Sequence, residues 1–271
     1  MAHSLSPVLH GAAYAALGLT GWRYGREEVP AGALARHVAG LGPEWVGLSV
    51  TMPGKEEALV LADRASSEAE LAGAANTLLR RDGGWYADNT DVHGLAVALE
   101  QAGAGQVRRA VVLGGGATAR SAVLALRRLG AGEIDLLVRD AVRPATRELL
   151  ARLAGEPSGP RFHVRALADG IPLDRERADV VVGTLPAGAP APDLTPGGDR
   201  PPVVLDVVYS PWPTPLADAV ASATAGRVVA VRGTTMLLHQ AARQVELMTG
   251  CPAPVREMST ALAAALEEEA G

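Results

Sequence analysis

Three stretches of the chain set chemically active side chains beside turns. The first is Ser49-Val50-Thr51-Met52-Pro53-Gly54-Lys55, where an apolar run delivers polar residues into a Pro/Gly turn and then a lysine. A lysine can exchange its proton near neutral pH when its surroundings depress its pKa, and an arginine cannot. The chain has 24 arginines and one lysine, Lys55. That makes Lys55 a candidate general acid or base, although composition alone reads equally well as one lysine left over. The second stretch is Gly73-Ala74-Ala75-Asn76-Thr77 with Asn89-Thr90-Asp91, which holds both asparagines of the chain. A carboxamide offers donor and acceptor together and suits sugar-like hydroxyls. Asn89-Thr90-Asp91 also reads as a turn and helix cap, which accounts for Asp91 but not for Asn76. In the third, Ser4 and Ser6 flank Leu5 ahead of a helix. Two hydroxyls beside a helix N-terminus can take a carboxylate, with capping as the alternative for Ser6.

A fourth feature, Val111–Arg120 (VVLGGGATAR), points to a nucleotide. Gly114, Gly115 and Gly116 let a strand end turn tightly and approach a pyrophosphate. The helix that follows aims free N–H groups at it, and Ala119 suits close helix–strand packing. The competing reading is an ordinary glycine-rich strand–helix turn. At the end of the next strand stand Val138-Arg139-Asp140 and then Arg143. An acid there favours the ribose 2′-hydroxyl of NAD, and arginine favours the 2′-phosphate of NADP. Arg139 and Arg143 could both face a phosphate, while Asp140 argues the other way.

These residues need elements to carry them. Ser6-Pro7 is expected to open a helix with Ser6 as N-cap, ending near Gly18. EWVGLSV (44–50) reads as a buried strand, and Asp82-Gly83-Gly84 joins two strands as a hairpin. Asp91 is expected to cap a helix that ends near Gly103. From Arg109 onward, strands alternate with helices: AVVLGGG, a helix to Gly130, IDLLV, a helix near 143–153, then FHVRA, ADVVVGT and PVVLDVVY. That alternation predicts right-handed βαβ units and a parallel sheet. The Pro/Gly-rich segment 185–202 reads as a long surface loop, and the tail as two helices with an apolar stripe.

Composition supports a folded α/β protein: 48% hydrophobic, 20% charged, net charge −5 over 271 residues. The mild acidity excludes a nucleic-acid or acidic-membrane binder. One cysteine, Cys251, cannot form an internal disulfide, so a reducing interior and a cytoplasmic location are expected. The six histidines show no ligand pair at helical spacing, so no metal is expected. No apolar run approaches the length of a membrane span.

Taken together, the motifs resemble the shikimate dehydrogenase family. The matching stretches are HSLSPVLH (3–10), GLSVTMPGK (47–55), GAANTL (73–78), NTDVHG (89–94), LGGGATAR (113–120), DVVYSPWPTPL (206–216) and GTTMLLHQA (233–241). They occur in the family's order and span nearly the whole chain. The resemblance implies two α/β domains: a substrate-binding domain from 1–95 with 233–271, and a Rossmann-like parallel-sheet NADP-binding domain over 96–232. It implies NADPH-dependent, reversible reduction of 3-dehydroshikimate to shikimate in aromatic amino-acid biosynthesis, by a monomer or homodimer. Within it, Lys55 and Asp91 would form the catalytic acid–base pair. Ser4 and Ser6, helped by Tyr209, would bind the substrate carboxylate, and Thr51, Asn76, Asp91 and Gln240 its ring hydroxyls. Gly114, Gly115, Gly116, Ala117 and Thr118 would cradle the pyrophosphate of NADP(H), Arg139 and Arg143 its 2′-phosphate, and Gly233 would lie beside the nicotinamide. Departures from the family's pattern fall at Ala117, in place of a glycine, and at Asp140, where NAD-preferring quinate/shikimate relatives carry an acid. A strand usually precedes the serine motif, so either the start is placed late or the first sheet is one strand short. The other readings are an NAD-preferring quinate/shikimate dehydrogenase and an inactive NADP-binding sensor module.

Overall fold

The computed structural model describes residues 4–197 and 200–270. The chain divides into two compact units, Met1–Gly94 with Leu237–Gly271 and Leu95–Met236, so both boundaries fall within helices. The first unit opens with α1 (Ser6–Ala16), α2 (Leu34–Ala39), β1 (Gly47–Ser49), α3 (Lys55–Leu61), β2 (Arg64–Ala65) and α4 (Ser67–Ala72). The hairpin β3 (Thr77–Arg81) and β4 (Gly84–Asp88) follows, and α5 (Thr90–Gln101) leads out. The sheet order is β1-β3-β4-β2. β3 and β4 pair antiparallel from Thr77↔Asp88 to Arg81↔Gly84. Asp82 and Gly83 both have positive φ, 51° and 80°, the twist that a two-residue hairpin turn needs. Leu34, Val38, Ala58, Leu78 and Ala87 form one core cluster under this sheet.

The second unit carries β5 (Arg109–Leu113), α6 (Ala117–Arg128), β6 (Glu133–Val138), α7 (Pro144–Ala154), β7 (Arg161–Ala166), β8 (Ile171–Leu173), β9 (Val180–Gly183), β10 (Leu194–Pro196), β11 (Val203–Asp206), α8 (Pro215–Ala223) and β12 (Val231–Arg232). The main sheet runs β12-β11-β9-β5-β6-β7, and every pairing in it is parallel. Its inner strands are largely apolar, as strands covered on both faces must be; Val112, Leu113, Ile134, Leu136, Val180 and Val182 are all buried. Each such side chain contributes about 1.5–3 kcal/mol relative to exposure. Strand order reverses between β5 and β9, and in open parallel sheets that is where ligands bind, at the carboxyl ends of the strands. The chain returns through α9 (Thr234–Thr249) to α10 (Val255–Ala270).

Several local expectations change. Ser6 is the first residue of α1, and Leu5 takes the N-cap position without a side-chain hydrogen bond. Asp91 likewise lies inside the first turn of α5 instead of capping it. The strand expected over 44–50 is only Gly47–Ser49, with Val46 O and Val50 N–H still bonded to Arg80 N–H and Asn76 O at its two ends. Segment 185–202 is not loop throughout: Leu194–Pro196 pairs parallel with Ile171–Leu173. The segment before Ser4, on which the expectation of a shortened sheet rests, lies outside the described residues.

Candidate active site

The turn before α3 and the two ends of the hairpin build the chemistry. Ser66 caps α4 by accepting from Ala69 N–H, and Gly73 ends it with φ 61°, a conformation that favours glycine. The chain then enters β3 through Asn76, whose backbone carbonyl accepts from Val50 N–H at 2.7 Å while its N–H donates to Asp88 O at 3.1 Å. Ala75 N–H donates to Lys55 O at 2.8 Å. The backbone thus fixes Lys55, Asn76 and the residues after Asp88 in one place.

Lys55 Nζ donates to Asp91 Oδ2 at 2.5 Å, with the two side chains 13% and 6% exposed. The other oxygen, Oδ1, accepts from Asn76 Nδ2 at 2.8 Å. Asn76 Nδ2 also reaches Thr90 Oγ1 at 2.9 Å and Gln240 Oε1 at 3.2 Å, and Asn76 Oδ1 accepts from Thr90 N–H at 2.8 Å. Asp91 additionally sits at the positive end of α5, which favours an anion. A charged pair this buried is tolerated only when its remaining hydrogen-bonding positions are filled, and removing one partner costs about 3–5 kcal/mol. The arrangement can hold a lysine proton beside an ordered carboxylate. His239 lies on the same unit, and burial together with His93 lowers its pKa.

Of the expected substrate-side residues, Lys55, Asn76, Asp91 and Gln240 come together directly. Ser6 is connected differently. The Tyr24 hydroxyl hydrogen-bonds the side chains of Ser6 and Ser49, and the Tyr24 ring stacks on His10 at 4.0 Å. Burial pushes the Tyr24 phenol up and lowers His10 to about 4. Ser4 stands in the segment leading into α1, and Thr51 is exposed in the turn before α3. Asn89 braces the local backbone, donating to Ala74 O at 2.9 Å. Tyr24, Thr77, Thr90 and Gln244 also belong to this polar cluster, and the first three carry no sequence signal beyond their neighbours. Gln244 alone had one: a glutamine four residues from Gln240 on an otherwise apolar helical face.

The glycine turn lies in the second unit, at the carboxyl end of β5. Gly114 has φ 111°, and a Cβ there would meet Thr184 Oγ1 at 2.6 Å; at Gly116 nothing lies within 4 Å. Thr184 is held in turn, donating from Oγ1 to Leu113 O at 2.7 Å. Gly116 takes the N-cap position of α6 and has no side chain to offer the first-turn N–H groups, which is where an anion would bind. Ala117 and Thr118 open that helix and are partly exposed. These residues fit a dinucleotide pyrophosphate. Thr146 ties the turn to α7 by donating to Gly115 O at 2.8 Å. Arg139 and Arg143 are both exposed, and Arg139 Nε pairs with Asp140 at 3.2 Å. Gly233 packs so tightly that a Cβ would lie 2.1 Å from Val207 O. In the same unit the Tyr209 carbonyl accepts from Arg232 Nε at 2.7 Å. Glu133, Asp135 and His163 are the one group among the described residues with metal-ligand spacing, and Arg161 and Arg165 already pair with its carboxylates.

Comparison with known proteins points to one family. A family model described as the shikimate dehydrogenase substrate binding domain matches residues 1–78, and the shikimate 5′-dehydrogenase C-terminal domain matches 233–263. A shikimate dehydrogenase (NADP(+)) of Citrifermentans bemidjiense is 38% identical over 277 residues, covering 98% of this chain and 92% of the relative. The crystal structure of Mycobacterium tuberculosis shikimate dehydrogenase shares 44% identity, covering 97% of this chain and 95% of that one, with a TM-score of 0.78. The Thermus thermophilus shikimate 5-dehydrogenase, solved in complex with NADP(H) and shikimate, shares 28% over 97% and 95% of the two chains, with a TM-score of 0.76. With identity at this level sustained along nearly its whole length, the chain belongs to the shikimate dehydrogenase family.

Proposed function

We propose that the protein catalyses the NADPH-dependent, reversible reduction of 3-dehydroshikimate to shikimate. The observation that carries this reading is the buried Lys55–Asp91 pair with Asn76 and Gln240 gathered on it. Held at the glycine turn, NADPH would supply the hydride, and NADP+ would accept it back in the reverse direction. Reduction of a ketone leaves an alkoxide oxygen that needs a proton, and Lys55 Nζ provides it and takes it back. Asp91 holds that ammonium in place and balances its charge. The Asn76 and Gln240 carboxamides, with Thr51 and Asp91, hold the ring hydroxyls; Ser4, Ser6 and Tyr209 take the carboxylate. We assign the cofactor to the Leu95–Met236 unit, with Gly114 to Thr118 on the pyrophosphate, Arg139 and Arg143 on the 2′-phosphate and Gly233 beside the nicotinamide. The substrate contacts other than Tyr209 belong to the other unit, and we take the domains as 1–95 with 233–271 and 96–232. No described helix is long and apolar enough to cross a membrane; we read the protein as cytoplasmic, a monomer or homodimer.

The test is an absorbance assay at the reduced-nicotinamide band, crossing shikimate and quinate with NADP and NAD. Shikimate with NADP should turn over fastest. Faster oxidation of quinate with NAD would replace this reading, and cofactor binding without turnover of either acid would leave only a binding module.

A further inference from the structure

Gln244 lies on α9 in the same compact unit as Lys55, Asn76 and Asp91. Its side chain is 1% exposed, and all four of its hydrogen-bonding positions are used. Oε1 accepts from Ser49 Oγ at 2.8 Å and from His10 Nε2 at 3.3 Å. Nε2 donates to Asn76 O at 3.2 Å and to Thr77 Oγ1 at 2.9 Å.

The direction of these bonds follows from counting protons. The Tyr14 hydroxyl faces His10 Nδ1 at 3.4 Å. The Asn76 backbone oxygen can only accept, which turns the Gln244 NH2 toward it, and a neutral His10 then carries its proton on Nε2, toward Gln244 Oε1. The Gln244 carbonyl therefore faces His10 and Ser49, and its NH2 faces β3. The Thr77 hydroxyl has a single proton. Because Thr77 Oγ1 accepts from Gln244, that proton goes to Asn76 Oδ1, at 2.8 Å. Asn76 Oδ1 is thereby an acceptor, and the Asn76 NH2 must face Asp91 Oδ1 and Gln240 Oε1. At the other end, Ser49 links through Tyr24 to the Ser6 hydroxyl.

We propose that Gln244 is a positioning residue for this reaction: it sets the proton direction of the Thr77 hydroxyl, fixes the Asn76 carboxamide against Asp91, and anchors Ser49 in the same gesture. Its polar atoms are all taken up by protein partners. Thr90 N–H gives Asn76 Oδ1 a second donor, so losing Gln244 loosens the carboxamide without inverting it. The inference rests on the function proposed above for the same site.

The test compares Gln244→Met, which keeps the volume and removes the polar atoms, with Thr77→Val, which breaks the link from its other end. Each should lower kcat/KM for shikimate about tenfold, the worth of one oriented hydrogen bond. NADPH affinity, read by fluorescence titration, should not change. Thr77→Ser keeps the hydroxyl and should restore most of the activity. The Gln244→Met/Thr77→Val double variant should be no worse than the poorer single one, since both break one chain of bonds. Two asparagines make the side-chain amide signals simple to assign by asparagine-specific 15N labelling. The Asn76 signal should lose exchange protection in Gln244→Met and Thr77→Val and keep it in Thr77→Ser. Unchanged Asn76 protection, equal behaviour of Thr77→Val and Thr77→Ser, or multiplying losses would each overturn the proposal. If the wild-type protein does not oxidise shikimate, the functional reading fails, while the amide signals still decide the role of Gln244.

Discussion

The two chemically equipped regions of this molecule are built on opposite plans. Around Lys55, side chains do the holding: Asp91, Asn76, Gln240 and Gln244 are all buried, and side-chain hydrogen bonds link them to residues distant in sequence. Around Gly114, the backbone does it. The turn from Gly114 to Thr118 has no titratable side chain, and its shape comes from a positive φ and from the absence of Cβ atoms. The charged residues assigned to it, Arg139 and Arg143, stand exposed in water. A proton-transfer site needs groups with adjustable charge in fixed positions. A pyrophosphate asks only for N–H donors and room to approach them. The side-chain plan should therefore fail sharply and respond to pH, and the backbone plan should fail through shape.

The largest expected effect is at Lys55. Lys55→Ala should reduce turnover about 10²–10⁴-fold, the usual worth of general acid catalysis, and leave NADPH binding intact. Lys55→Arg should do almost as badly, since a guanidinium keeps its proton. Full turnover by Lys55→Ala would remove the basis of the comparison. The second effect concerns acid. His10 falls to about 4 in the fold, against a reference value of 6.5. Between those values the unfolded chain binds a proton that the folded chain refuses, so stability declines as pH falls from about 6.5 to 4 and this contribution is flat outside that window. The loss is at most about 3 kcal/mol. Urea unfolding at pH 7 and pH 4.5 should give a smaller pH difference for His10→Phe than for the wild type; equal differences would mean that acid sensitivity arises elsewhere.

Third comes the turn. Gly114→Ala adds a methyl group 2.6 Å from Thr184 Oγ1 at φ 111°, strain of about 1–3 kcal/mol. It should weaken NADPH binding about tenfold or more while a shikimate-only titration is unaffected, and an unchanged NADPH dissociation constant would count against the backbone plan. The smallest effect is at Asp140. Asp140→Asn removes the exposed partner of Arg139, and because pairs of this kind are weak the NADPH-over-NADH preference should rise only about threefold. A fall in that preference would mean that Asp140 helps to hold the cofactor.

The two plans were not equally legible in the sequence. A glycine turn between a strand and a helix is local, and Gly114, Gly115 and Gly116 could be placed from their neighbours alone. The β3–β4 hairpin was equally plain because Asp82-Gly83 can adopt the positive φ values its turn requires. Lys55 stood out only because every other basic residue is arginine. What sequence could not supply was the set of long-range bonds: Gln244 meets Asn76 and Thr77 from more than 160 residues away, and Tyr24 returns to Ser6 from an irregular segment. The cap positions differ from the expected ones by one residue at Ser6 and by two at Asp91, a scale on which helix ends are poorly fixed by local preference. The strand at Leu194–Pro196 was hidden because its partner, Ile171–Leu173, lies on a separate small sheet.

The β3–β4 hairpin has one more consequence. Asn76 precedes its first residue and Asp91 follows its last by three, so the number of residues between them acts as a length gauge for the catalytic pair. The register runs unbroken from Thr77↔Asp88 to Arg81↔Gly84. One residue added at Asp82-Gly83 would slip that register and turn each following side chain to the opposite face. Surface turns ordinarily accept insertions. This one is constrained in length, because the chemistry at the hairpin's far end depends on the register that the turn sets.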